Sequence, residues 1–133
     1  YRIARPYKNF KKDVGGAHSD LNYGGIKNNY LNSLNVIWIP TIGFNKNFTL
    51  NIFPGTHNII HPEEAVVKNN KYISSVFSNK YLKNFKSIRH DLKKGDAIIF
   101  NPNIIHGGSY NLGNHTRFSI EIRICNNKFF KKN

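Results

Sequence analysis

A histidine and an aspartate lie one residue apart in the glycine-rich stretch GGAHSDLNYGG, residues 15–25. If the stretch is extended, His18 and Asp20 share a face, because side chains two apart along a strand project to the same side. An imidazole and a carboxylate aimed at one point could bind a divalent metal ion. Taken alone the pair is weak support, since H-x-D is frequent by chance and a lone loop histidine is more often solvated or hydrogen-bonded.

A third metal ligand would have to come from elsewhere in the chain, and His106 in NIIHGGS is the best candidate. Two histidines and one carboxylate with open positions form the facial arrangement typical of non-haem Fe(II) oxygenases. Three protein ligands leave room for a bidentate co-substrate and for dioxygen, whereas a closed tetrahedral site does not.

An arginine follows His106 by eleven residues, in the stretch RFSIEIRI. Period-two alternation predicts a strand in which Arg117, Ser119, Glu121 and Arg123 share one face, with Phe118 and the isoleucines on the other. Arg117 is then either an exposed strand arginine or a planar fork that grips a carboxylate through two hydrogen bonds, helped by the Ser119 hydroxyl.

The elements that would position these residues are mostly strands. YRIARPYKNF indicates an edge strand that Pro6 limits, and RFSIEIRI is the cleanest strand in the chain. SLNVIWIP and FTLNIFPG predict two strands that the turn GFNKN joins as a hairpin, and KKGDAIIF predicts a turn leading into a strand. At least five strands with turn signals between them indicate a sandwich or barrel.

Residues 62–92 have a different pattern. Pro62, Glu63 and Glu64 resemble a helix start, with proline in the first turn and acids at the positive end of the dipole. The polar residues and asparagines that follow favour a broken helix and a loop.

The composition suggests an anionic partner without identifying one. The chain has 133 residues and a formal net charge of +13, but its lysines are scattered or in doublets, and none forms the long block of a basic arm. Asn, Lys and Ile make up about two fifths of the chain, which favours a compositional origin of the charge. The length indicates one domain, and no apolar run is long enough to span a membrane. The single Cys125 fits a reducing compartment, here predicted to be the cytoplasm.

Five motifs together resemble one family. HSD, NVIWIP, LNIFPGTH, GDAIIFNPNIIHGGSYN and RFS, in this order and spacing, are similar to the phytanoyl-CoA dioxygenase family of Fe(II)- and 2-oxoglutarate-dependent oxygenases. The resemblance covers about residues 15–124, and its most specific parts are PGTH at residues 54–57 and the histidine-to-arginine spacing. It implies a mainly β fold, the double-stranded β-helix or cupin-like jelly roll, with a partly helical insertion. A single domain is expected over residues 1–133. The family's usual N-terminal flanking elements are missing from the sequence, so it is expected to be either a fragment or a member with compromised activity.

The resemblance also implies roles for particular residues. The family's metal ligands fall on His18, Asp20 and His106. Its arginine for the distal carboxylate of 2-oxoglutarate falls on Arg117, and the R-x-S pattern of related oxygenases adds Ser119. The tryptophan that lies beside the co-substrate in relatives matches Trp38, which is nearly as well explained as a core residue. His57 of PGTH is not a ligand in the family and is expected to lie in a turn.

The function that the resemblance implies is hydroxylation of a small-molecule substrate, with Fe(II), 2-oxoglutarate and O2 as cofactor and co-substrates and with succinate and CO2 as co-products. Asp20 favours hydroxylation, because relatives that halogenate lack the carboxylate. Two alternatives stay open. One is a non-catalytic cupin-like binding domain. The other is a nucleic-acid alkylation-repair demethylase, a class that also has two arginines six apart, as Arg117 and Arg123 are. The lysines of residues 58–94 are compatible with a phosphate- or carboxylate-bearing substrate.

Overall fold

The computed structural model describes residues 1–10, 13–20, 34–61, 65–68, 71–107 and 109–125. Its elements in chain order are β1 (Arg2–Ala4), β2 (Ala17–His18), β3 (Leu34–Ile42), β4 (Asn51–Ile52), β5 (Ala65–Lys68), β6 (Lys71–Ser75), α1 (Asn79–Leu82), β7 (Ile88–Arg89), β8 (Ile98–Phe100), β9 (His106–Gly107) and β10 (Arg117–Cys125). A short 3-10 turn, Thr56–Asn58, follows β4. Within these ranges no helix has the length and apolar character needed to cross a bilayer.

The strands form two four-stranded antiparallel sheets and a separate hairpin. The first sheet has the order β1-β10-β3-β8, the second has the order β2-β9-β4-β7, and β5 pairs with β6. Two facing antiparallel sheets of this kind are a cupin-like jelly roll, so the predicted mainly β fold class is confirmed. The predicted edge strand is also confirmed, because β1 is the outermost strand of its sheet and, among the described strands, pairs with β10 alone.

The longest pairing joins β10 to β3 and fixes the register of the first sheet. Ile120 lies opposite Ile39, and Ile122 lies opposite Ile37, as expected for β-branched residues that fit a pleated surface. β3 continues past Pro40, where the sequence predicted its end. Pro40 is tolerated because β8 pairs only with residues 36–38, so β3 has a free edge on that side at the proline.

The predicted hairpin between β3 and the strand after it is wrong. β4 does not pair with β3 but lies in the second sheet, between β7 and β9. Between the two strands Gly43 adopts a left-handed φ of 83° and has the Phe48 ring packed against its Cα, where a Cβ would meet ring atoms at 2.9 Å. This close approach needs glycine, and the chain crosses from one sheet to the other instead of folding back.

The described part of residues 62–92 contains less helix than the sequence predicted. The suggested helix start at Pro62 lies outside the described residues, and the hairpin of β5 and β6 occupies most of residues 65–75. The helical part is the single turn α1, where the Ser78 side chain accepts a hydrogen bond from the Tyr81 backbone N–H at 3.3 Å. The segments AVVK and KYISS are rich in β-branched residues, which favour strands.

The core between the sheets is apolar, but one strand presents its polar face to the interior. Trp38, Leu50, Ile52 and neighbouring apolar side chains form the main buried cluster. On β10, however, Arg117 and Ser119 are buried, whereas Ile120 and Ile122 are exposed. The two-faced strand that the sequence predicts therefore has its apolar face outside. A buried polar face needs polar partners, and this requirement indicates a binding site inside the roll.

Candidate metal centre

The two candidate ligand histidines are direct neighbours across the second sheet. β2 pairs with β9 so that His18 lies opposite His106, and their ring centroids are 4.5 Å apart. Side chains of directly opposed residues in an antiparallel pair project to the same face. The sheet register thus brings together two imidazoles that are far apart in the sequence.

Asp20 reaches the same point from the end of β2. Its backbone N–H donates to the Pro102 carbonyl at 2.9 Å, and the Ser19 hydroxyl donates to the same carbonyl at 3.2 Å. The Asp20 Oδ1 atom lies 3.7 Å from Nε2 of His18 and 3.7 Å from Nε2 of His106. One candidate ligand atom from each of the three residues lies within 4.8 Å of the others, close enough for one ion to bind all three.

Each histidine has its Nδ1 beside a backbone carbonyl, on the side of the ring away from Asp20. Nδ1 of His106 is 3.0 Å from the Ile104 carbonyl, and Nδ1 of His18 is 3.1 Å from the Gly16 carbonyl. A carbonyl can only accept, so Nδ1 of His106 carries its proton, and the buried Nε2 of His106 keeps its lone pair when the ring is neutral. Burial, followed by the nearby His18, lowers the pKa of His106 to about 4, so its ring is neutral at neutral pH, as a metal ligand must be.

Two buried polar atoms of the cluster show that it suits a cation. Among the described residues, Asp20 Oδ1 and His106 Nε2 have no hydrogen-bond partner and almost no contact with solvent. An unpaired buried carboxylate oxygen is costly unless a cation neutralises it. Two nitrogen donors and one oxygen donor suit a divalent transition metal, so the residues present fit the ferrous ion that the resemblance implies.

The depressed pKa of His106 predicts a pH effect on the metal-free protein. The unfolded chain takes up a proton near pH 6.5, whereas folded His106 does so only near pH 4, so the unfolded state binds more protons between these values. We expect the free energy of unfolding to fall as the pH is lowered from about 6.5 to about 4. Urea denaturation with EDTA present would measure it. His106→Gln should reduce the slope, leaving the contribution of His61, whose pKa burial also lowers; an unchanged slope would contradict the assignment.

Arg117 is a buried cation without a carboxylate partner in the described part of the chain. Its side chain is 5% exposed, and Nη1 donates to the Phe48 carbonyl at 2.8 Å and the Ser109 carbonyl at 3.3 Å. Its Nε and the hydroxyl of the fully buried Ser119 have no hydrogen-bond partner among the described residues. Burial, and then the nearby Arg89 and Arg2, lower the pKa of Arg117 to about 10. A cation that remains charged in such surroundings favours binding of an anion.

One cavity of about 110 Å3 connects the histidines to this arginine. Its lining includes His18, His106, Arg117 and Trp38. Trp38 is 2% exposed, belongs to the main core cluster and lies with its ring centroid 5.9 Å from Cζ of Arg117. Trp38 is therefore a core residue, as one sequence interpretation had it, and it also forms a wall of the cavity where the other would place the co-substrate. A small molecule with a carboxylate at each end could contact the metal ligands and the guanidinium at once.

The PGTH motif supports the site through a residue that sequence reasoning did not single out. His57 lies exposed in the 3-10 turn and is not part of the cluster. The preceding Thr56 is fully buried, and its hydroxyl donates to Phe53 at 2.7 Å and accepts from the Ile105 backbone N–H at 2.9 Å. Thr56 thus fixes the strand that carries His106. The PGTH motif was the sequence signal for this role, although the residue responsible is Thr56 and not His57.

Thr56→Val is expected to lower the free energy of unfolding by about 1–3 kcal/mol, because it leaves the buried Ile105 N–H without an acceptor. Chemical denaturation measures this loss. Thr41→Val is the matched control: the Thr41 hydroxyl also donates to a carbonyl, that of Phe118, but the residue is exposed. Its expected cost is below about 0.5 kcal/mol. Equal losses in the two variants would mean that Thr56 has no special role.

Two charged residues of β10 also adjoin the cluster. Arg123 Nη2 donates to Asp20 Oδ2 at 3.1 Å and lies 2.8 Å from Glu121 Oε1. The sequence placed Glu121 and Arg123 on the face of Arg117 but could not show that this face meets β2. The contact between Arg123 and Asp20 depends on packing between the two sheets, and a local sequence pattern cannot predict such packing.

Comparison with known families gives one match. The family model described as phytanoyl-CoA dioxygenase matches residues 5–119. The matched range includes the three clustered residues, the buried arginine and the serine beside it. No curated protein is similar enough to be matched to this chain.

Proposed function

Because the chain belongs to the phytanoyl-CoA dioxygenase family, a family of oxygenase-type enzymes, we propose that it is an Fe(II)- and 2-oxoglutarate-dependent dioxygenase that hydroxylates a small molecule. One observation supports this most strongly: the His18–Asp20–His106 cluster lines or adjoins the same cavity as the buried Arg117 cation, which has no carboxylate partner among the described residues. A metal-binding cluster alone would fit many proteins. The buried guanidinium adds a place for the far carboxylate of a dicarboxylic co-substrate.

The chemistry divides between the bound groups and the protein. A ferrous ion on the three side chains would supply dioxygen activation, coupled to conversion of 2-oxoglutarate into succinate and CO2 and to hydroxylation of a substrate C–H bond. Held by two imidazoles and one carboxylate, a divalent ion would keep a net positive charge, which would attract an anionic chelator. Asp20 would supply a carboxylate ligand to the ion, which supports hydroxylation over halogenation.

Arg117 and Ser119 would orient the co-substrate. The Nε–H of Arg117 and the hydroxyl of Ser119 are buried donors that have no partner among the described residues, so a carboxylate would satisfy both. Trp38 closes one side of the cavity and excludes water. Water exclusion strengthens each of these electrostatic contacts.

The proposed substrate is a small, anionic metabolite, and the proposed location is the cytoplasm. The charge of +13 supports an anionic substrate, because a positive field attracts anions over long range. The single Cys125 can form no disulfide within the sequence, which supports a reducing compartment.

Succinate release tests the proposal. The protein is incubated with Fe(II), ascorbate, 2-oxoglutarate and air, and succinate is measured across a panel of carboxylated, phosphorylated and neutral metabolites. We expect iron-dependent succinate formation that some anionic members of the panel increase. Iron binding without succinate from any mixture would instead favour a cupin-like binding domain. Stimulation by methylated single-stranded DNA alone would favour the alkylation-repair alternative.

A further inference from the structure

The carboxylate of Asp20 has two oxygens in different surroundings. Oδ1 points toward the histidines, at 3.7 Å from each Nε2, and has no hydrogen bond among the described residues. Oδ2 accepts a hydrogen bond from Arg123 Nη2 at 3.1 Å. The Asp20 side chain is 3% exposed, so solvent has little access to its second oxygen.

We propose that Arg123 is a positioning residue that fixes the rotation of Asp20, so that Asp20 offers Oδ1 alone to a metal. The inference rests on the proposed function, because it concerns the metal of that site. A carboxylate free to rotate can bind a cation through both oxygens. Its second oxygen would then take a position that the bidentate co-substrate or dioxygen needs.

Arg123 suits this role because of its place in the fold. It lies on β10 of the first sheet, whereas Asp20 follows β2 of the second, so the ion pair links the two sheets at the metal site. Glu121, two residues earlier on the same strand face, pairs with Arg123 at 2.8 Å. This second partner holds the guanidinium against Asp20 and offsets its charge.

The expected effect is on metal binding more than on folding. The Arg123 side chain is 48% exposed, and partly exposed ion pairs contribute little to stability. Residues that hold a metal ligand from outside, in contrast, change metal affinity by roughly 10–100-fold when they are replaced. Binding of a metal probe therefore separates positioning from a general structural role.

Co(II) titration of the intact protein, followed by visible absorption and by calorimetry, tests the inference. Arg123→Ala is expected to weaken Co(II) binding by roughly 10–100-fold and to change the visible spectrum of the bound ion. Arg123→Lys should recover part of the affinity, because it retains a donor for Oδ2. If Arg123→Ala does not fold, Arg123→Met, which keeps an apolar stem but has no donor for Oδ2, takes its place with the same expected loss.

Arg5→Ala is the matched control. Arg5 pairs with a carboxylate, Asp13, at 2.8 Å and has a side-chain exposure of 50%, but within the described residues no hydrogen bond or ion pair joins it to the cluster. It should leave Co(II) affinity unchanged. Wild-type affinity in Arg123→Ala, or an equal loss in Arg5→Ala, would overturn the inference while the proposed function stands. Failure of the wild-type protein to bind Co(II) would overturn both.

Discussion

Replacing His106 with alanine is expected to abolish iron-dependent succinate formation and to weaken binding of a divalent metal by more than about 100-fold. Replacing a residue that merely orients a metal ligand already weakens metal binding by roughly 10–100-fold, and His106 is itself a candidate ligand. His106 is 2% exposed, and its Nε2 faces Asp20 Oδ1 at 3.7 Å. The variant removes one of three candidate ligands and leaves a carboxylate and a single imidazole, a weaker and less selective donor set. Calorimetric titration with Mn(II) and a succinate assay measure the two effects.

His57→Ala is the control for this variant. His57 is exposed in the 3-10 turn, and its backbone carbonyl, not its side chain, accepts a hydrogen bond from Asn103 Nδ2 at 2.7 Å. It should keep wild-type metal affinity and activity. Thermal unfolding of both metal-free variants checks that each is folded. A folded His106→Ala variant that still binds Mn(II) as tightly as the wild type would show that the cluster is not the metal site.

Replacing Arg117 with leucine is expected to raise the KM for 2-oxoglutarate by about 30-fold or more, as loss of one partner of a buried charge pair costs about 2–5 kcal/mol. Metal affinity should change little, because Arg117 is not a member of the three-residue cluster. Arg117→Lys should give a smaller rise, because lysine keeps the charge but lacks the planar fork that binds a carboxylate through two hydrogen bonds. Succinate assays over a range of 2-oxoglutarate concentrations give the KM.

A structural role of Arg117 must be separated from a binding role, because Arg117 also holds the carbonyls of Phe48 and Ser109. Arg89→Leu provides the comparison. Arg89 likewise donates to backbone carbonyls, at 2.9 Å to Tyr110 and 3.2 Å to Lys46, but it does not line the cavity. If both variants raise the KM equally, Arg117 acts by holding loops and not by binding the co-substrate.

The geometry within single strands was predictable from the sequence because it depends on local periodicity. The alternation of β10 placed Arg117 and Ser119 on one face, and the structure has both buried on that face. The spacing of His18 and Asp20 likewise predicted that they point to one place, and their ligand atoms lie 3.7 Å apart, although β2 ends at His18 and Asp20 follows it. A period of two is a property of the extended backbone itself.

Long-range pairing was not predictable from these patterns. The sequence suggested that β4 folds back on β3, but β4 joins the other sheet beside β9, through a crossing at Gly43. A short turn between two strand-like segments looks the same whether the strands pair or pass between sheets. Likewise, no local pattern predicted that His18 and His106 lie opposite each other across β2 and β9; the expectation that they meet was supported by the family resemblance.

The orientation of β10 shows the limit of hydrophobic patterning. Its isoleucines would ordinarily predict the buried face, yet Ile120 and Ile122 are 38% and 44% exposed while Arg117 is buried. The polar side chains of β10 line an internal cavity, and a binding role for that cavity would account for the reversal of the usual preference. Arg123 was missed as a partner of Asp20 for the same reason, since only the inward orientation of its strand brings it there.

Anaerobic titration of the intact protein with Fe(II) and then 2-oxoglutarate tests the central claim most directly, because it reports binding of both groups in one site without requiring the unknown substrate. The account predicts a weak visible charge-transfer band that needs both additions, saturates at one equivalent of iron, and is absent in His106→Ala. A folded wild-type protein that gives no band at saturating iron and 2-oxoglutarate, or a band that persists in His106→Ala, would contradict it.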